Sequence, residues 1–362
     1  MPVMRAAVQS MKPYVPGKPL EEVQRELGLT DLVKLNQNEN PLGPSPRALA
    51  AARAALMQVH TYPEGTARRL RERLGQLWDL PADWFLVGNG SDEVFRLLAE
   101  VYLEPGDPIV VPAPSFSAYR FVGELMGARV VTVPLAGWSM DLPAMAEAAA
   151  AHGAKLLFLC RPNNPTGTVF PEHALRAVME RIPTSTLVVL DEAYREFDGT
   201  PFDSRSLLLD YPNLVIARTF SKIYGMAGFR LGYGIMRPEV LAPLLRARDP
   251  FSVNGLAVAA GLAALGDTEH VERTLALTRE GKAYLYAAFD RLGLPYVPSE
   301  ANFVLFDVGR PAAEVFDRLL SRGVLVRPCG SFGLPHHLRV TVGTAEANAR
   351  FVAALEAVLG DV

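Results

Sequence analysis

Five short runs of apolar residues constrain the fold of this chain more than any other feature. They are Pro108 to Val111, Val130 to Val133, Leu156 to Cys160, Leu187 to Leu190 and Leu214 to Ala217. Each is continuous rather than alternating, the pattern of strands covered on both faces. Helical segments such as Pro171 to Arg181 lie between them. Strand and helix in alternation predict an α/β fold around a mostly parallel sheet. The 362 residues are too many for one small core, so two domains sharing a cleft are expected. After Leu245 the pattern changes. A long helical stretch (Gly255 to Leu292) leads to A-N-F-V-L-F-D-V, a further helix, G-V-L-V-R-P, H-L-R-V-T-V-G and a last helix from Thr344 to Leu359. This predicts a smaller α+β domain. The opening, with Pro13, Pro16 and Pro19, reads as an extended arm. The expected division is an arm over residues 1–40 that joins the small domain, a large domain over 41–245 and a small domain over 246–362.

Composition removes several function classes. Hydrophobic residues make up 49% and charged residues 21%, as in ordinary globular proteins. A formal net charge of -3 leaves no basic excess for nucleic acid or a membrane surface. The start, M-P-V-M-R-A-A-V-Q-S-M-K-P, has no long apolar core of the secretory kind. The most apolar stretch, Val253 to Leu265, is too short to span a bilayer and contains Asn254, so it predicts a buried helix. The two cysteines, Cys160 and Cys329, have no metal-site spacing, and the six histidines are scattered apart from His336 and His337. No metal is expected, and the cysteine usage fits a reducing, cytoplasmic setting.

The polar residues fall where open α/β sheets bind ligands, beyond the carboxyl ends of the strands. P-A-P-S-F-S follows the first run, R-P-N-N-P-T-G the third, D-E-A-Y the fourth and R-T-F-S-K the fifth. Within T-F-S-K-I-Y-G-M-A-G-F-R, Lys222 offers an amine that can form a Schiff base with a carbonyl. Ser221 and Arg230 are residue types that hold a phosphate. An aldehyde and a phosphate together describe pyridoxal phosphate (PLP). That ring acts as an electron sink best when its nitrogen is protonated. Asp191, at the end of a strand, suits the task of holding that proton, although a D-E pair there equally suits a helix cap. Tyr194 and Asn164 are placed to bond the ring oxygen, and Phe116 to lie over the ring face or simply to fill core. G-N-G-S-D-E (88–93) follows the short strand W-F-L-V and opens an apolar helix, whose N-terminus can hold a phosphate. Glu93 stands where a dinucleotide fingerprint would need its third glycine, which argues against that class. Arg339, on the strand H-L-R-V-T-V, needs an anionic partner or an exposed edge.

With these residues in place, the chain resembles the fold-type I PLP aminotransferases, and most of all the histidinol-phosphate aminotransferase family. The markers are L-N-Q-N-E-N-P (35–41), T-Y-P-E-G (61–65), G-N-G-S-D-E (88–93), R-P-N-N-P-T-G (161–167), D-E-A-Y (191–194), T-F-S-K…A-G-F-R-L-G-Y (219–233) and L-R-V-T-V-G-T (338–344). The resemblance implies a seven-stranded, mostly parallel sheet flanked by helices. It implies that Lys222 forms the imine, Asp191 pairs with the ring nitrogen, and Asn164 and Tyr194 bond the ring oxygen. Ser91, Asp92, Thr219, Ser221 and Arg230 would form the phosphate cup, and Tyr62 would reach the cofactor of the neighbouring subunit in a homodimer. Arg339, Arg327, Tyr14 and Asn302 would line the substrate pocket. The implied reaction moves the amino group of L-histidinol phosphate to 2-oxoglutarate, giving imidazole acetol phosphate and L-glutamate. Phe116 departs from the tyrosine usual at the stacking position, which opens the alternative of an aromatic (phenylalanine-type) amino-acid aminotransferase. A PLP-dependent phospho-amino-acid decarboxylase is a further alternative. A PLP-sensing regulator is disfavoured, since no basic helix-turn-helix region precedes the fold.

Overall fold

The computed structural model describes residues 3–9, 11, 20–28 and 31–360. Tyr14 lies outside the described residues. Strand β1 (Val33–Lys34) comes first in the chain. It is followed by β2 (Phe85–Gly88), β3 (Pro108–Ala113), β4 (Arg129–Pro134), β5 (Leu156–Cys160), β6 (Leu187–Asp191), β7 (Leu214–Thr219) and β8 (Gly232–Ile235). Strands β2 to β8 form a seven-stranded sheet in the order β2-β8-β7-β6-β5-β3-β4. Only β8 runs against its neighbours, β2 and β7; the other pairs are parallel. Every residue of β5 and β6 is buried, as their unbroken apolar runs require. The edge strand β4 is largely open to solvent and correspondingly mixed in composition.

The second layer of structure begins with β9 (Tyr296–Val297) and continues through β10 (Phe303–Asp307), β11 (Val324–Leu325), β12 (Arg327–Pro328) and β13 (His337–Thr341). A four-stranded antiparallel sheet has the order β12-β13-β10-β9. Its core holds Phe289, Phe306, Val340 and Phe351, together with Leu35 from the N-terminal segment. β1 pairs in parallel with β11, which joins this segment to the smaller unit.

The larger core runs past position 245. Helix Gly255–Ala264 packs with it through Ala257, Ala260 and Ala264, with Val253 just ahead of the helix, so the change of core falls after Leu265. The helical stretch 255–292 is two helices rather than one. The chain breaks at Gly266, and Asp267 caps the second helix, Thr268–Leu292, by accepting from the His270 backbone N–H. That helix begins against the large unit, where His270 bonds Gly43 O at 3.0 Å. It ends in the smaller core at Leu285 and Phe289.

Candidate active site

Lys222 lies three residues beyond β7, in the cleft between the two units. Its Nζ donates to the Gln37 carbonyl at 3.0 Å and sits 5.7 Å from the centre of the Tyr194 ring. Dense surroundings push its pKa down to about 8. The Arg339 charge pushes the same way, and Glu39 opposes it. A cavity of about 420 Å³ opens beside this loop, lined by Lys34, Glu39, Asn40, Ser221, Gly225 and Thr341.

Asp191 ends β6, level with Cys160 on β5 and Ala217 on β7. It is buried, and burial pushes its pKa up to about 6. Two donors counter that cost: the Tyr119 hydroxyl at 2.6 Å and the Ala193 N–H at 3.0 Å. Tyr119 is itself fully buried, stacked on Phe158 with ring centres 4.9 Å apart and edge-on to Phe116 at 5.6 Å. The residues of the motif R-P-N-N-P-T-G divide in function. Arg161 points into protein, whereas Asn164 faces the cleft and accepts from Arg339 through Oδ1.

The candidate phosphate cup combines a helix start, hydroxyl side chains and one cation. Helix Ser91–Tyr102 begins with Ser91 and Asp92, so its free amides point out of the first turn. Arg230, held at φ 55°, reaches Asp92 Oδ2 at 3.4 Å and Ser221 Oγ at 3.5 Å. Thr219 Oγ1 accepts from the Ser221 N–H at 3.0 Å. The cup is too tight for side chains. A Cβ on Gly90 would stand 2.7 Å from Arg230 Nη2, and one on Gly232 would stand 2.4 Å from the Ser91 nitrogen. Small residues here leave a guanidinium and helix-terminal amides converging, as a phosphate needs.

The opposite wall carries Arg339. Its Nη2 donates to the Asn36 carbonyl at 2.8 Å, and its guanidinium lies 5.2 Å from the Phe303 ring centre. It is buried, and among the described residues its Nε is without a partner, as is Oδ1 of Asn302. A buried guanidinium with an open donor is suited to an anion entering the cleft. Arg327 stands opposite Arg339 in register on β12, with Nη2 reaching Ser331 Oγ at 3.4 Å. Tyr194 is buried, and burial pushes its phenol up to about 12.

Lys222, Asp191, Asn164, Tyr194 and Arg339 thus share one cleft, with Ser91, Asp92, Thr219, Ser221 and Arg230 grouped at its other end. Tyr62 stands apart. It is 83% exposed and stacks on Phe251, with ring centres 4.9 Å apart. Two residues of the site were not singled out from sequence: Tyr119, and Asn38, whose Nδ2 donates to the Tyr194 oxygen at 3.0 Å. A tyrosine three positions after Phe116, on the same helix face, was the available signal for the first. An amine, a buried carboxylate and a phosphate cup are the three groups that PLP requires, and these residues fit it.

Comparison with known proteins agrees with this geometry. A family model described as aminotransferase class I and II matches residues 30–355. A histidinol-phosphate aminotransferase of Symbiobacterium thermophilum is 84% identical over 361 residues, covering 100% of each chain. One from Moorella thermoacetica is 48% identical over 362 residues, covering 99% of this chain and 94% of that one. Among solved structures, a histidinol-phosphate aminotransferase from Sinorhizobium meliloti in complex with pyridoxal-5'-phosphate superposes with a TM-score of 0.92 at 29% identity, covering 99% of this chain and 98% of that one.

Proposed function

This chain belongs to the histidinol-phosphate aminotransferase family, within the class I and II aminotransferases, and from that premise we propose its reaction in detail. It transfers the amino group of L-histidinol phosphate to 2-oxoglutarate with PLP, giving imidazole acetol phosphate and L-glutamate. The observation that carries this reading is the buried Arg339 with its open Nε, in the same cleft as Lys222 and in a chain so close to its relatives along its full length. One arginine can take a phosphate from the donor and a carboxylate from the acceptor in turn.

When bound, PLP supplies an aldehyde for the amine and a ring that takes up the electron pair left by a departing proton. Lys222 would provide the amine that holds the cofactor and, as a free neutral amine, the base that takes the proton from the substrate's amine-bearing carbon and hands it on to the cofactor side. Its lowered pKa keeps a usable fraction neutral near physiological pH. Asp191, bonded by Tyr119 and the Ala193 N–H, would hold the proton on the ring nitrogen. Asn164 and Tyr194 orient the ring oxygen. Ser91, Asp92, Thr219, Ser221 and Arg230 would hold the phosphate of the cofactor, and Phe116 would pack beside the ring. Arg339, Arg327, Asn302 and Tyr14 bind the anionic end of the substrate.

The working form in this proposal is a homodimer in the cytoplasm. The exposure of Tyr62, next to exposed Leu56, Met57, Val59 and Phe251, supports a contact in which Tyr62 reaches the cofactor of the second subunit. No helix among the described residues is long and apolar enough to cross a membrane. The test is the ratio of kcat/KM for L-histidinol phosphate to that for L-phenylalanine, each with 2-oxoglutarate. A ratio above about 100 is expected of a site shaped for a phosphate and an imidazole, because phenylalanine brings only its carboxylate to the arginine and a phenyl ring that cannot hydrogen-bond. A ratio below one would overturn the assignment in favour of an aromatic aminotransferase.

A further inference from the structure

Asn38 stands where three parts of the molecule meet. It belongs to the N-terminal segment, is 1% exposed, and adopts φ 56°, the left-handed region that asparagine tolerates better than most residues. All four of its polar groups are used. Its N–H donates to Thr341 Oγ1 at 2.9 Å, and its carbonyl accepts from Asn302 Nδ2 at 3.1 Å. Its Oδ1 accepts from the Thr341 hydroxyl at 3.2 Å, and its Nδ2 donates to the Tyr194 oxygen at 3.0 Å. The first three bonds tie it to the smaller unit, on β13 and just ahead of β10. The fourth crosses to the larger unit.

The network decides which way the amide faces. Thr341 Oγ1 already accepts from the Asn38 backbone, so its own proton is free to be donated and meets Oδ1. That leaves the NH₂ group for Tyr194. A phenol oxygen that accepts from an amide cannot direct its own proton back at that amide. The Tyr194 proton is therefore turned away from Asn38, toward the cleft where Lys222 Nζ lies 5.7 Å from the ring centre. Tyr194 cannot swing freely either, because Phe303 packs edge-on against it with ring centres 5.1 Å apart.

We propose that Asn38 is a positioning residue for the reaction: its amide commits the Tyr194 hydroxyl to act as a donor toward the cofactor ring oxygen, and it does so only while the small and large units are docked. The inference rests on the reading that Lys222 holds PLP with Tyr194 beside the ring. Besides Lys222, the charged or titratable groups acting on Tyr194 are Arg339, Cys160 and Asp191; Arg339, the one donor among them on the smaller unit, gives Nη1 to Asn164 and Nη2 to the Asn36 carbonyl rather than to the Tyr194 oxygen.

The substitution Asn38→Asp tests the idea because it is nearly isosteric and tolerates the same backbone. One carboxylate oxygen keeps the Thr341 bond, and the other replaces a donor with an acceptor, so the Tyr194 proton turns toward position 38 and away from the ring. The measurement is the pH midpoint of the visible absorption change of PLP-loaded enzyme. Losing a hydrogen bond to the anionic ring oxygen should raise that midpoint by about one pH unit. Added charge alone would also raise it, so the same substitution is made in a Tyr194→Phe background, where the rise should fall to less than about half. Equal shifts in the two backgrounds, or no shift in either, overturn the proposal. Asn38→Gly guards against misfolding of the aspartate variant, since it keeps the backbone and removes the amide. It should lower kcat about tenfold with KM for the amino donor within about twofold. A lowered melting temperature with kcat and midpoint unchanged would reduce Asn38 to a structural tie. Wild-type enzyme with no pH-dependent visible band would instead remove the Lys222 reading, and this inference with it.

Discussion

Arg161 opens the motif R-P-N-N-P-T-G, where an arginine next to a ligand site invites assignment as an anion anchor. Its surroundings argue that it holds the fold instead. The side chain is fully buried, its Nε donates to Phe170 O at 2.7 Å, and Nη2 donates to Thr200 Oγ1 at 2.7 Å. Nη1 pairs with Asp198, and the guanidinium lies 3.9 Å from the Phe202 ring centre. Burial pushes its pKa down in spite of Asp198, a sign of how much solvation it has lost. Arg161→Met therefore leaves a buried carboxylate without its main partner. Removing one member of such a pair costs about 3–5 kcal/mol. Asp198 keeps bonds from the Thr200 N–H at 2.8 Å and Oγ1 at 2.7 Å, and Arg195 remains 3.6 Å away, so the lower end, about 3 kcal/mol, applies. With a urea dependence near 3 kcal/mol per molar, the unfolding midpoint should fall by about 1 M. Pairing Arg161→Met with Asp198→Leu should recover much of that loss, because the stranded charge is then gone. The assay is urea unfolding of both variants, followed by circular dichroism, alongside KM for the phosphorylated donor. A midpoint within about 0.2 M of wild type together with a tenfold rise in KM would refute the reasoning and return Arg161 to the substrate.

Four further outcomes are expected. Lys222→Ala should bind PLP without a borohydride-trappable link and lose at least about a thousandfold in turnover, measured by mass spectrometry and steady-state kinetics. Capture of PLP by wild-type apoenzyme should rise with pH around a midpoint near 8, because the reactive neutral amine is the minor form below that value; a midpoint near 10 would contradict the crowding around Lys222. Tyr119→Phe removes a donor that lowers the Asp191 pKa, so that pKa should rise beyond about 6, and PLP affinity measured by fluorescence titration should weaken as pH falls toward 6 at a higher pH than in wild type. Arg339→Ala should raise KM for both substrates about a hundredfold while PLP stays bound, and unchanged KM values would place the anion elsewhere.

What the sequence made legible is what depends on neighbours along the chain. Leu156–Cys160 and Leu187–Asp191 are central strands, and their unbroken apolar runs follow from burial on both faces. Lys222, Ser221 and Arg230 were visible because they lie on one short segment that folds back on itself. The strand Gly232–Ile235 was not visible, for the same physical reason that it matters. It passes so close to helix Ser91–Tyr102 that two of its four residues are glycine; a Cβ on Gly234 would meet Val94 at 2.9 Å. Those glycines erase the apolar run that marks the other strands. Helix Gly255–Ala264 is apolar nearly all round, which signals burial without saying in which core, and the expected boundary at 245 fell short of it. The partners of Asp191 and Tyr194 were hidden by distance, since Tyr119 lies 72 residues from the first and Asn38 lies 156 from the second. A hydroxyl or amide carries no mark of what it will face. The groups to which we assign the chemistry were therefore readable one by one, and the groups that aim them only after the chain had folded. Asn38 shows why the second kind constrains the fold as strongly as the first: its single side chain bonds both units, so any change in how they dock must also change where the Tyr194 proton points.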